Sequence, residues 1–320
     1  MPLHNLSSAF SQVLRRLFHG APNRHARREL GRNASSTRPA DSSRPRVRPC
    51  LEILEDRITP TTFTPAILTD PQGATNSLRG VITQANADTG TATDTIQLGI
   101  GTYGLSLPNT AGHDVLNASG DLNINSENHG LIIQGVTDAN GNPLTVIDQR
   151  TFDRVFQILN PADNPEKVIF RNLVIEGGNA QDNGGDDTPP GTTDAEGGGI
   201  MVDGGGFVTL SNVVLTKNTA QSGDDFSAQG GGIYVLGGSL NIQSSTIQNN
   251  SVFVDASAAK GDGEAASGGG VYGSHANISI SSSTLTQNKA TGGVASTGKP
   301  AGGPAAGGAV YTTVGSLSLT

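Results

Sequence analysis

Two stretches of this chain are near copies of each other. GGGIYVLGGSLNIQSSTIQNN spans 230–250, and GGGVYGSHANISISSSTLTQN spans 268–288. They belong to a longer series. VIFRNLVI (168–175), VTLSNVVL (208–215), LNIQSSTI (240–247) and ISISSSTL (278–285) superpose without gaps, and LSL (317–319) starts a fifth. Val168, Val208, Leu240, Ile278 and Leu317 share one column. Phe170, Leu210, Ile242, Ile280 and Leu319 share another, two residues on. Strand alternation sends both columns to one face. Ile200, Ile233, Val271 and Val310 each follow GGG or GGA, at spacings of 33, 38 and 39 residues. So short a unit cannot bury an apolar column alone, but stacked units can.

Three strands of about five residues with tight turns need only about 20–25 residues per coil. The surplus falls in one place each time: TAQSGDDFSAQ, SVFVDASAAKGDGEAAS and KATGGVASTGKPAGGPAA. These segments read as loops bulging from one corner of every coil. Gly199, Gly232 and Gly270 read as corner glycines whose positive φ permits the turn. Asn218, Asn250 and Asn288 share a column and are expected to form a ladder of amides. The fold expected is all-β: a right-handed parallel β-helix, a pectate-lyase-like solenoid, behind a disordered basic N-terminal segment. A β-propeller fits less well, since its blades need four strands and aromatic marks, and this chain has no Trp.

Composition agrees. Hydrophobic residues are 34% and aromatics 4%, with 44 glycines in 320 residues, which suits a core that is narrow everywhere. Cys50 is the lone cysteine, so no intrachain disulfide can form. No apolar run reaches the roughly 18 residues of a membrane span. Three regions follow: 1–60, 61–160 and 161–320. Residues 1–57 carry eleven arginines against five acids, a net +6; the whole chain is −8, so the remainder is −14. The first region holds a basic amphipathic run (Leu6, Phe10, Val13, Leu14, Leu17, Phe18), then an Arg/Pro/Ser-rich stretch, then CLEILEDRITP. It lacks the apolar core and cleavage site of an ordinary secretory signal. No aromatics interleave with its arginines, so nucleic acid is not an expected partner.

Leu51, Leu54, Glu55, Asp56 and Arg57 lie in a stretch that resembles the LExLEDRxxP segment of many planctomycete proteins with exported repeat regions. The resemblance implies sorting to the cell surface or exterior. SLRGVITQAN (77–86) reads as a capping helix, with Leu78, Ile82 and Ala85 on one face. Ser77, Leu78 and Arg79 resemble the CSLREA-type segment at the start of bacterial β-helix proteins. Asn76 stands at that motif's cysteine, and Gly80-Val81 at its Glu-Ala. The GGGI and terminal Asn marks resemble the repeats of polymorphic membrane proteins and related adhesins. GSLSLT (315–320) opens a coil and stops, so the sequence reads as C-terminally incomplete.

Candidates for chemistry are few. A hydrolase of the inverting type needs two carboxylates on one face, and the strand columns of 165–320 contain no acid except Glu176. Asp148, Asp153 and Arg154 in IDQRTFDR are the catalytic candidates. The competing structural reading has the two acids shaping a turn and Arg154 paired with one of them. Asp182, Asp186, Asp187, Asp194 and Glu196 are the calcium candidates, against a solvated acidic loop. His113 and His129 read as loop surface. The expectation is a secreted or surface-displayed scaffold, not an enzyme, for adhesion or interaction. It needs no cofactor and no membrane span, and its partners would be extracellular glycans or cell-surface components. The alternatives are a polysaccharide-acting enzyme or carbohydrate-binding module, and a structural stalk.

Overall fold

The computed structural model describes residues 59–109, 116–125, 129–159, 167–185, 189–223, 225–255, 264–293 and 303–320. The chain divides into two units, Met1–Leu54 and Glu55–Thr320, and every described residue lies in the second. The sorting-like residues Leu51, Leu54, Glu55, Asp56 and Arg57 therefore lie outside the described residues, as does His113.

The second unit is a parallel β-helix. One coil shows the path: Ile200–Asp203, Phe207–Thr216, Thr219–Ser222 and Ala228–Gln229, after which Ile233–Leu236 begins the next coil. Each run pairs in parallel with its counterpart in the coils on either side, which builds four sheets. The register is the one the sequence columns require. Val168, Val208, Leu240, Ile278 and Leu317 are successive partners, as are Ile200, Ile233, Val271 and Val310. Within the stack the inward columns are sealed, with Phe170, Leu210, Ile242, Ile175, Leu215 and Ile247 fully buried, whereas Leu317 and Leu319 of the last coil are exposed.

Two features depart from a three-strand coil. First, the long alternating run is bent at its centre. Asn172, Asn212, Ser244 and Ser282 sit at φ 57°, 54°, 47° and 46°, and this left-handed column turns the strand by one corner. A second left-handed column, Lys217, Asn249 and Gln287, makes the next corner. Second, the surplus segments are not loops from their first residue. Their bases are strands of the third and fourth sheets, and Ala195, Ala220, Ala228, Val252, Val254 and Ala266 form a core of their own. Alanine side chains are short enough for outgoing and returning strands to close on each other. Each segment is thus a side arm with a packed base.

The glycine triplets divide their work differently from the expectation for Gly199, Gly232 and Gly270. Positive φ belongs to the first glycine of each triplet: Gly197 (65°), Gly230 (64°) and Gly268 (69°). The third is needed for close approach. A Cβ on Gly199 would lie 2.6 Å from the Gly232 carbonyl oxygen, and one on Gly232 2.5 Å from that of Gly270.

At the first end, helix Leu78–Asn86 is capped by Ser77, whose Oγ accepts from the Gly80 N–H at 3.1 Å. Leu78, Val81, Ile82 and Ala85 are buried against Leu122–Ile124 and Asp94–Gln97. A Cβ at Gly80 would collide with the Ala74 carbonyl, so no side chain fits there.

The asparagine column holds the second corner. Asn218 Oδ1 accepts from the Gly178 N–H at 3.0 Å, Asn250 Oδ1 from the Asn218 N–H at 3.0 Å, and Asn288 Oδ1 from the Asn250 N–H at 3.0 Å. The Nδ2 groups donate back to Ile175, Leu215 and Ile247 carbonyls at 3.2, 3.0 and 2.8 Å. Each amide thus satisfies buried backbone groups of the preceding coil. Asn250→Ala strips partners from the Asn218 N–H and the Leu215 carbonyl, and should cost about 2–6 kcal/mol, since each unpaired buried group costs roughly 1–3. Denaturant unfolding of the variant checks this, and Asn250→Asp should recover only the acceptor half.

Candidate functional site

The residues singled out for chemistry separate into an inner cluster and an outer row. The inner cluster is centred on Arg154, which is wholly buried. Its Nη2 donates to Asp182 Oδ1 at 2.6 Å and to the Asp182 carbonyl at 2.8 Å. Its Nη1 lies 3.5 Å from Asp121 Oδ2 and 3.8 Å from Asp153 Oδ1. Asp153 closes a turn, accepting from the Arg154 N–H at 2.8 Å and, across coils, from the Asp121 N–H at 3.0 Å. Next to this lies a second buried arginine, Arg79. It donates to Asp70 through Nε and Nη2 at 3.0 and 2.9 Å, and to the carbonyls of Ser119, Gly120 and Asp121.

One guanidinium cannot neutralise three buried carboxylates at once. Burial, opposed by the Arg154 charge, pushes the Asp121 carboxyl up to about 6. Burial, reinforced by Asp121, pushes Asp153 up to about 7. For Arg154 burial works against the charge, and the carboxylates of Asp182, Asp153 and Asp121 more than offset it, so the guanidinium stays charged. Asp153 and Arg154 are thus tied inward and present nothing to a substrate.

Asp148 behaves differently. It lies within strand Thr145–Gln149, not at a turn, and points outward. Its register partner in the next coil is Glu176. The two carboxylates therefore sit side by side on one face, flanked by bases: Arg150 Nε is 2.9 Å from Asp148, and Lys217 Nζ is 3.0 Å from Glu176. Sequence reasoning missed this pair because it aligned columns only from residue 165. VID (146–148) over VIE (174–176) was the available signal.

The acidic segment does not gather at one point. Asp182 is committed to Arg154. Asp194 Oδ1 accepts from the Ser227 N–H at 2.8 Å. Glu196 meets the Tyr234 hydroxyl, and burial pushes its carboxyl up to about 7. Asp186 and Asp187 lie outside the described residues. Among the described residues no group of three or more His, Cys, Asp or Glu is placed to hold a metal ion. His129 is a correction: its ring is fully buried, with Nε2 3.2 Å from Asp94 Oδ2. Beside Glu196 runs an outward stack of Met201, Tyr234, Tyr272 and Tyr311. The rings of Tyr234 and Tyr272 lie 5.3 Å apart and parallel within 2°, and those of Tyr272 and Tyr311 5.8 Å apart.

No protein-family model matches the chain, and no curated protein matches it. Among solved structures, Escherichia coli YbhC aligns with 80% of this chain and 80% of its own at 12% identity, with a TM-score of 0.34. No described helix is long and apolar enough to cross a membrane, which says nothing of membrane barrels.

Two outcomes follow. Arg154→Met leaves buried carboxylates without a counter-charge and should cost about 3–5 kcal/mol at neutral pH, whereas Asp148→Ala removes a solvent-facing pair worth about 0–1 kcal/mol. Thermal and chemical unfolding of both variants checks the contrast. Asp121, Asp153 and Glu196 are held above the ordinary carboxylate range, so the folded chain binds protons that the unfolded chain has released. Stability should therefore fall as pH rises from about 5 to 8, through the values near 6 and 7. A melting-temperature series across that range reads the slope, and Asp153→Asn should flatten it.

Proposed function

We propose that this chain is a non-catalytic, exported or surface-displayed β-helix scaffold for adhesion or interaction. The observation that supports it most is the inward commitment of Arg154 and Asp153, the residues best suited to catalysis. The outward columns of the later coils favour the same reading. They carry Thr209, Asn241 and Ser279 in one row and Ser211, Gln243 and Ser281 in the next, groups that bond to a ligand without reacting with it. The resemblance of 51–60 to planctomycete sorting segments, of 77–79 to CSLREA-type starts and of the GGGI units to adhesin repeats supports surface display. Extracellular glycans or cell-surface components are the partners that a neutral face of hydroxyls and amides suits.

A second reading, a polysaccharide-acting enzyme, is favoured by one observation: Asp148 and Glu176 are in register on adjacent coils. One experiment separates the two. The 320-residue chain is incubated with a polysaccharide panel, and retention is measured beside release of reducing or unsaturated ends. The scaffold reading expects retention on some surfaces, no release, and retention unchanged in Asp148→Ala. Release that disappears in both Asp148→Ala and Glu176→Gln would establish the enzyme instead.

A further inference from the structure

The Arg154 guanidinium reaches out of the coil as well as into it. Strands Asn179–Ala180 and Ala195–Glu196 are the base of a further side arm, the first along the chain, and through Asp182 the guanidinium holds its outgoing limb, at 2.6 and 2.8 Å. Through Nε it reaches the carbonyl of Glu196 on the returning limb, at 3.4 Å. The held limb is packed down. Gly184 N–H donates to Asp182 Oδ1 at 2.9 Å, and Gln157 Nε2 donates to the Gly184 carbonyl at 3.0 Å. A Cβ at Gly184 would lie 2.6 Å from Gln157 Nε2 and 2.8 Å from Met201 Sδ, so the arm lies directly on those two side chains. Met201 is 2% exposed and Tyr234, next along the stack, 5%.

The same guanidinium is contested from the other side by Asp121 and Asp153, at 3.5 and 3.8 Å. We propose that the base of the first side arm is a proton-controlled joint: protons on Asp121 and Asp153 leave Arg154 to Asp182 and keep the arm down, and their loss lifts it from Met201 and Tyr234. With both inner carboxyls neutral, Arg154 and Asp182 form a balanced buried pair. With both ionised, three carboxylates face Arg154, Arg79 offsets only part of the Asp121 charge, and Asp182 is the one carried outside the coil strands, between Asn179–Ala180 and Ala195–Glu196. Repulsion at this range in a buried setting is far stronger than in water. The values near 6 and 7 for Asp121 and Asp153 place the change around neutrality. The other charged or titratable groups around the joint are Asp70 and Arg79 from the cap, Asp194 and Glu196 from the returning limb, and Asp203 and Tyr234 from the adjoining strands. Glu196 also titrates near 7; its carboxyl hydrogen-bonds the Tyr234 hydroxyl and feels the Arg154 charge, while its backbone carbonyl accepts from Arg154 Nε at 3.4 Å, so Glu196→Gln is the control that separates its titration from that of Asp153.

Met201 is a clean reporter, because the chain's only other methionine is Met1. The experiment exposes the 320-residue chain to dilute hydrogen peroxide at about pH 5.5 and about pH 8.5, on either side of the titration, and follows Met201 sulfoxide by peptide mass. Free methionine calibrates the reagent. Met201 should oxidise several-fold faster at the higher pH, and the peptide spanning 189–196 should lose amide protection with it, once the base-catalysed rise of intrinsic exchange with pH is divided out. Protection across Phe207–Thr216, corrected in the same way, should hold steady, marking a local opening and not unfolding. Asp153→Asn should keep Met201 slow at both pH values. Equal Met201 rates in the unaltered chain would overturn the proposal without any variant. So would a pH ratio that survives Asp153→Asn but vanishes in Glu196→Gln.

Discussion

A coil can join a parallel β-helix only in the register of the coil beneath it, and nearly everything else in this structure depends on that rule. Backbone N–H and C=O groups along a strand bond to those of the coils on either side, which holds neighbouring coils about 4.8 Å apart. Each side chain therefore stacks on the one at the same position one coil away. A column must be filled by residues that tolerate their own kind as neighbours. Branched aliphatics do so inside, and hydroxyls and amides outside. Asparagine does so at the corner, because its amide both donates and accepts along the stack. The third glycine of each triplet answers the same rule, since the carbonyl of the next coil occupies the space a Cβ would need.

Where the columns lose their uniformity, charge enters the interior. The first coils are the place where helix, turn and side arm must be joined, and two buried arginines join them. Arg79 gathers Asp70 and three carbonyls, and Arg154 gathers Asp182 and two competing carboxylates. Buried charge is a poor source of stability, but a satisfied network is selective about which elements it will accept. Here that selectivity positions the first arm on the coil. The cost is a surplus of carboxyl groups, which makes this end of the molecule responsive to protons near neutrality.

The repeats were legible because stacking is periodic in sequence. The columns, their register and the asparagine ladder follow from aligning like with like. The helix at 78–86 was legible from its own apolar spacing. The inner charge cluster was not. Asp182 lies 28 residues from Arg154, and Asp121 32 residues from Asp153, with no repeat to align them. The bend in the long strands was hidden as well. Strict alternation from Val168 and Phe170 would turn Asn172 inward, but the buried positions shift phase to Leu173 and Ile175, and the backbone places the left-handed corner at Asn172 and Asn212. The arms read as loops because alanine-rich segments give a weak apolar signal, although their bases form a small packed core of their own.

What the sequence by itself determined is the stack: a repeat whose apolar columns cannot be buried singly admits few other solutions. What only the tertiary structure decided is the fate of the charged residues. Asp148, Asp153 and Arg154 fall within seven residues in the chain and read as one constellation. The strand ending at Gln149 turns Asp148 outward beside Glu176, and the following turn sends Asp153 and Arg154 inward. Burial and register are properties of neighbouring coils. They convert one cluster of acids into a solvent-facing pair and the other into a sealed ion network.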